Sequence, residues 1–422
     1  MAILLIYIIV FIIAFYAVHL VTKMMTARKD YTSLKTVTFG DESAVSPNRP
    51  ASIISVLAIF MIWGAFTGSK LMPFHAPGPF IGETSFTYTA MNAAGETDGA
   101  EVIVTVYDIQ SGKTPPKMKI DPGPGFAKND TANIVAWRSG LIKVQRNDVG
   151  SKEDGYKITE INGQEISPSS EVFIDDARIY MTAKGTLSFT PEKGWQMQPI
   201  WLPSPEAVWS RLVLVASEGY KTFTLAEHLG WSLLRVVVGF LAGALIGIPL
   251  GYAMGLSGWF RGWFDPIVEF MRPVPPLALI PLVIIWFGIG EEGKIILLFL
   301  ASLWIMTISA RAGVSGVNIS KIHAAYSLGA SKRQIMRLVI VPNSLPEIFT
   351  GARVSMGVCW GTVVAAELVA AQKGAGMMII NASKFQMTDL VIMGIVLIGV
   401  IGYSIDILMR IAENYLVPWK GK

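Results

Sequence analysis

The 422-residue sequence is short of cysteine, histidine and charge. A single cysteine, Cys359, excludes an internal disulfide framework, and its place in an apolar run makes it a packing residue. Four scattered histidines (His19, His75, His228, His323) supply no metal-ligand spacing, so no metal site is expected. Charged residues are 16% of the chain against 52% hydrophobic ones, a balance that belongs to a membrane protein. The net charge of +4 gathers in short loops beside apolar runs. Membrane orientation explains that excess better than nucleic-acid binding does. The opening run MAILLIYIIVFIIAFYAVHLV lacks a basic leader and a small-residue cleavage site, and is expected to be a retained span. No paired carboxylates or nucleophile and base stand in the apolar runs, so no catalytic residues are expected. Gly288-x-x-x-x-Gly293-Lys294 has the outline of a phosphate loop but fails as one. Ile295 stands where a hydroxyl is needed, and Glu291 and Glu292 would repel phosphate. A nucleotide site within this chain is therefore not expected.

What is present is a series of long apolar runs. Seven segments approach the roughly 20 residues a bilayer requires, near 3–21, 52–68, 232–256, 275–290, 294–311, 348–370 and 388–409. Basic residues cluster in 23–51 (Lys23, Arg28, Lys29, Lys35, Arg49), 257–274 (Arg261, Arg272), 311–347 (Arg311, Lys321, Lys332, Arg333, Arg337) and the tail (Arg410, Lys420, Lys422). The alternate connections GIGEEGK and QKGAGMMIINASKFQ are poorer in them. The positive-inside rule then puts the N-terminus outside and the C-terminus in the cytoplasm. Between the second and third runs, 82–197 holds no span and is rich in strand formers such as AEVIVTVYD and EVFIDDARIYMTA. ITEI-NG-QEIS carries the Asn-Gly of a tight hairpin. A small β-sandwich or barrel outside the membrane is expected there.

Gly239, Gly243, Gly247, Gly251 and Gly255 recur every four residues and predict one helix face for close packing, with Pro249 predicting a kink. Between the fifth and sixth runs, HAAYSLGASKRQIMRLVIVP combines a small-residue helix, a breaking Gly329 and a basic segment closed by Pro342. From composition alone, two readings stand: a docking element for a cytoplasmic partner, or an amphipathic segment meeting anionic headgroups.

HAAYSLGASKRQIMRLVIVPNSLPEIFTGAR resembles the coupling loop of bacterial ABC importer permeases. LPSPEAVW, SLLRVVVGFLAG, GIPLGYAMG, DPIVEFMRPVPPLALIPLVIIWFGIGE and VVAAELVA resemble the nitrate, sulfonate, taurine and bicarbonate branch. The likeness covers about 52–80, where Trp63 matches, and 200–420. It implies an all-α polytopic membrane permease core with an inserted extracytoplasmic all-β domain. The expected divisions are 1–51 (added helix and cytoplasmic loop), 52–81 (first family helix), 82–197 (periplasmic insertion) and 198–422 (permease core, coupling loop 312–347). It further implies a second permease copy, separate ATP-binding subunits holding ATP and magnesium, a periplasmic substrate-binding protein, and a bacterial inner membrane. His323, Ala324, Ala325, Leu328, Gly329, Ala330 and Arg333 are the residues implied to meet the ATPase. His323 departs from the family pattern, where Glu is usual.

Charges inside spans are expensive, so Arg235 and Glu367, at similar depth near the outer end, are expected to pair, directly or across a dimer, or else to snorkel separately. Trp360 and Arg353 are candidates for lining the path, although Arg353 near the cytoplasmic end is open to a simple headgroup contact. Arg272, with Pro273 and Pro275, marks a cytoplasmic elbow that sets helix geometry. The competing functions are a membrane-anchored sensor or scaffold, which has no use for a coupling loop, and an ion-driven transporter. The latter would show internal repeats and mid-membrane charges.

Overall fold

The computed structural model describes residues 2–26, 49–108, 115–116, 118–150 and 155–419. Arg28, Lys29, Lys35, Lys420 and Lys422 lie outside the described residues, as does the connection at 27–48. The chain forms two compact units, Met1–Glu206 and Ala207–Lys422.

The first unit begins with helices α1 (Ala2–Thr26) and α2 (Arg49–Phe66). They hold the apolar stretches Leu5–Val21 and Pro50–Phe66. Among the described residues nine strands follow: β1 (Gly82–Met91), β2 (Thr97–Tyr107), β3 (Asp130–Val135), β4 (Gly140–Ile142), β5 (Lys157–Ile161), β6 (Gln164–Glu165), β7 (Glu171–Ile174), β8 (Ala177–Met181) and β9 (Leu187–Pro191). They form a five-stranded sheet ordered β3-β2-β1-β5-β6 and a four-stranded sheet ordered β4-β9-β8-β7. Period-two alternation buries Ala100, Val102, Val104 and Val106 of β2 on one face, and Ala177, Ile179 and Met181 of β8 likewise. The two faces share one core, in which the Phe86 and Phe189 rings stack 6.2 Å apart. β5 and β6 are joined by Asn162 (φ 48°) and Gly163 (φ 74°), the positive-φ pair a tight hairpin demands. The run 133–145, which alternates as if it were one strand, is split. Trp137 takes φ 63°, and the chain leaves β3 in one sheet to enter β4 in the other.

A polar cluster anchors one corner of this sandwich. Asp148 accepts hydrogen bonds from the Tyr88 hydroxyl (2.9 Å), the Lys128 amide (2.6 Å) and the Tyr156 hydroxyl. Burial, and then the nearby Asp148 carboxylate, push Asp130 up to about 7. The folded unit therefore holds a proton that the unfolded chain has already released. Its stability contribution is complete below the unfolded carboxyl range and is lost as pH rises through about 7. Hydrogen exchange at the β3 amides, corrected for intrinsic rate, should be faster at pH 8 than at pH 6, and Asp130→Asn should remove that difference.

The second unit is helical: α3 (Pro205–Glu218), α4 (Leu225–Leu256), α5 (Gly258–Met271), α6 (Ile280–Phe287), α7 (Glu291–Ser315), α8 (Ile319–Ser327), α9 (Lys332–Ile335), α10 (Val341–Ala370), α11 (Ala375–Lys384) and α12 (Thr388–Leu416). Among the described residues four helical runs are long and apolar enough to cross a membrane: Leu225–Leu256, Glu291–Ser315, Lys332–Leu368 and Thr388–Leu416. The segment 275–290 does not form a straight span of its own. It supplies α6 and a preceding 3-10 turn, which join α5 at a bend of 91° around Arg272, Pro273 and Pro275. The prolines account for this bend; the Arg272 side chain is largely exposed and lies 3.7 Å from Glu269. The connection 257–274 is thus not a loop. Trp259, Phe260, Trp263, Phe264 and Ile267 recur at helical spacing, and the segment is the amphipathic α5. Likewise QKGAGMMIINASKFQ is mostly α11, whose Ala375, Gly376, Met377, Met378 and Ala382 are buried.

The glycine stripe of α4 lies against α7. A Cβ on Gly239 would fall on Leu298, on Gly243 2.5 Å from the Ser302 Cβ, on Gly251 against the Thr307 carbonyl, and on Gly255 2.8 Å from Val314. Residue numbers rise together along the two helices, so α4 and α7 run parallel. The bent pair between them must carry the chain back. α10 packs on both in the opposite direction: the Cys359 thiol meets the Leu298 carbonyl, and Ser355 donates to Ser302 at 3.0 Å.

Candidate functional site

One end of α4 and α7 holds a buried ion network. Arg235 precedes Gly239 by four residues and shares its face, so the close α4–α7 approach that the glycines permit also brings the first turn of α7 to the guanidinium. Arg235 is 1% exposed. Its Nε and Nη2 donate to the two carboxylate oxygens of Glu291 at 2.5 and 2.7 Å, a bidentate fork. Its Nη1 donates to Glu367 of α10 at 2.6 Å and to the Lys373 carbonyl at 3.0 Å. Lys294 completes the Glu291 side at 3.0 Å.

Glu367 has a fully buried side chain. Besides Arg235 it accepts from Ser232 Oγ (2.7 Å) and the Gly376 amide (3.0 Å). The 371–376 turn is pinned along its length. Gly374 N–H donates to His228 Nδ1 and Ala375 N–H to Ser232 Oγ, while His228 Nε2 meets the Tyr220 carbonyl. Gly374 has φ 140°, and a Cβ there would run into the Glu367 carboxylate, so the backbone passes this charge where only glycine fits. Such a constellation offers no nucleophile, base or metal-ligand set. What it can do is clamp three helices and a re-entrant turn together at one end of the bundle.

Arg235 and Glu367 are thus partners within one chain. Sequence reasoning missed Glu291, Lys294, Ser232 and His228. Glu291 was in view, but the glycines around it read as a surface turn. Trp360 does not project into an open path in this subunit. It is 6% exposed, packs between α10 and α12, and donates its indole N–H to the Ile398 carbonyl at 3.0 Å. Arg353 meets no headgroup-only environment either, since it bonds Asp406 of α12 at 3.2 Å and approaches Glu413 at 3.7 Å.

At the opposite end of α10 lies the basic segment. Asn318 caps α8, Gly329 takes φ 81° at the break, and Ser331 with Gln334 forms a capping box on α9. A π-helical turn, Met336–Ile340, then runs without interruption into α10. Ala325 and Ala330 pack inward with Ile322 and Ile335 on Val314. His323, Ala324, Gly329 and Arg333 are exposed, and Leu328 is 89% exposed at the tip. Of the two alanines implied to meet the ATPase here, Ala325 is thus turned inward, and Ala324 faces out.

The family profile described as "Binding-protein-dependent transport system inner membrane component" matches residues 243–416. Over 227 residues the chain is 47% identical to the taurine transport system permease protein TauC of Escherichia coli (strain K12), covering 54% of this chain and 82% of that protein. The chain belongs to this family of permeases. Within the ABC importer permeases it falls in the taurine, sulfonate and nitrate branch. It is 38% identical over 226 residues to the putative aliphatic sulfonates transport permease protein SsuC of the same organism, covering 54% of this chain and 84% of that one. It is 31% identical over 191 residues to the nitrate import permease protein NrtB of Synechocystis sp. (strain ATCC 27184 / PCC 6803 / Kazusa), covering 45% of this chain and 70% of that one. The relatives are transport permeases, and this permease carries a β-rich N-terminal unit and the helical unit within one multi-pass membrane chain.

Proposed function

We propose that this permease forms the translocation path of an ATP-driven importer for a small oxyanion of the sulfonate or nitrate kind. A periplasmic binding protein delivers the solute, and a second copy of the chain completes the pore. ATP and magnesium sit on separate cytoplasmic subunits. The observation that carries this reading is the 47% identity to a taurine permease over 82% of its length.

Orientation follows from charge. Lys321, Lys332, Arg333 and Arg337 lie at the end of α10 remote from Glu367, which makes that end cytoplasmic and the ion network outer. Residues 82–197 are then an extracytoplasmic insertion between the 52–81 segment and the 198–422 core, 1–51 is an added helix and loop, and 312–347 is the coupling loop. Leu328, at the apex beside His323, Ala324, Gly329 and Arg333, is the knob that enters the ATPase, while Ala325 and Ala330 brace it from within. Arg235 and Glu367 close the outer end, and Arg353 and Trp360 hold α10 to α12 behind the path. In cells lacking their own taurine permease, the chain with its cognate ATPase and binding protein should restore ATP-dependent taurine, methanesulfonate or nitrate uptake. Replacing 326–331 by a Gly/Ser linker should abolish it. Uptake at parental rate with the linker would overturn the reading.

A further inference from the structure

Three cations gather at the end of the bundle that holds the ion network. Arg235 and Lys294 meet Glu291 and Glu367. All three nitrogens of the Arg235 guanidinium are engaged by protein oxygens, and at 1% exposure this cation is closed to a solute. The remaining cation is Lys373. Its ammonium rests 3.6 Å from the centre of the Trp231 ring and 5.4 Å from that of Phe223, and it pairs with no carboxylate among the described residues. Glu227, the acid whose charge interacts with it, makes no ion pair with it and accepts the amide and hydroxyl of Thr224 through Oε2 at 2.8 and 3.0 Å.

We infer that Lys373 is the reception point for the oxyanion solute as it enters the permease, an inference that rests on the small-anion reading above. An ammonium has three N–H donors, and an aromatic face satisfies only the side turned to it. Among the described residues no protein oxygen takes the remaining donors of this half-buried lysine, which leaves them for an oxygen of sulfonate or nitrate. The seat is preorganised, because the Lys373 carbonyl is held by Arg235 and the next three amides by His228, Ser232 and Glu367. A single-point contact with one ammonium also binds loosely enough to let the solute go on, which conduction requires.

The test uses the complete transporter, with its ATPase and binding protein, in proteoliposomes and reads taurine, methanesulfonate or nitrate imported per ATP hydrolysed. Lys373→Gln should lower that ratio about tenfold and flatten its dependence on salt, and Lys373→Arg should recover most of it. A parental ratio in Lys373→Gln would overturn the inference and leave the permease reading intact. So would an equal fall in Lys373→Arg, or a fall in import and ATP hydrolysis together at constant ratio, because either assigns the residue a structural role. If the parent protein hydrolyses ATP but imports none of the three anions, the small-anion reading fails and this inference with it.

Discussion

Arg235→Gln is expected to cost the helical unit about 3–5 kcal/mol, because it strands Glu367, a carboxylate with a fully buried side chain, without its counter-charge. The hydrogen bonds from Ser232 and Gly376 stay, but two neutral donors do not replace a guanidinium at 2.6 Å. Glu367→Gln should cost less, since Arg235 keeps its bidentate bond to Glu291. In Arg235→Gln/Glu367→Gln no buried charge is abandoned at that contact. The double variant should therefore be more stable than the sum of the single losses, by about 0.5–3 kcal/mol. Melting midpoints of purified protein in one detergent, for the parent and the three variants, read this coupling. Additive losses would mean that the two side chains do not act as a pair, and parental uptake by all three variants would remove any role in transport.

The next largest effect is expected along the glycine stripe. Gly251→Ala should cost about 1–3 kcal/mol, since its new methyl group would collide with the Thr307 carbonyl and stand 2.7 Å from the Ala310 Cβ, forcing α4 away from α7. Gly251→Leu should prevent the two helices from packing. Gly230 lies on the same helix, and a Cβ added there would meet nothing within 4 Å, so Gly230→Ala should be neutral or stabilising by about 0.5–1 kcal/mol. Measured side by side by the same melts, the pair separates close approach from helix propensity. Equal shifts at both positions would show that the stripe is not a contact surface.

Much of this fold was legible because it is written in period and spacing. The recurrence every four residues from Gly239 to Gly255 marked a close-packing face without naming its partner α7, and the alternation in AEVIVTVYD together with Asn162-Gly163 marked strands of the sandwich and one of its turns. What escaped has a common cause, namely that the deciding contacts are long-range. WFRGWFDPIVEF reads as a connection because its two acids and one base interrupt the apolar run, and only a helix gathers them on a single face. Glu291 reaches Arg235 from 56 positions away, and nothing in its glycine-rich surroundings signals a partner. Arg235 and Glu367 were readable as a pair because buried charge within an apolar run has few alternatives. For Trp360 the sequence offered only a candidate for the path, because an aromatic ring at helical spacing looks the same whether it faces a channel or a neighbouring helix; within this chain it packs on α12.

The uninterrupted passage from the π-turn at Met336–Ile340 into α10 makes a lever with the exposed tip at its base and Glu367 near its far end. At 1.5 Å per residue, the arm from Ile340 to Glu367 is about 40 Å long, and rocking its base by roughly 5° swings the far end by about 3–4 Å. That travel exceeds the reach of a hydrogen bond. If the ATPase engages that foot as proposed, a small push there would be geared up into enough movement to unhook Glu367 from the guanidinium that holds it.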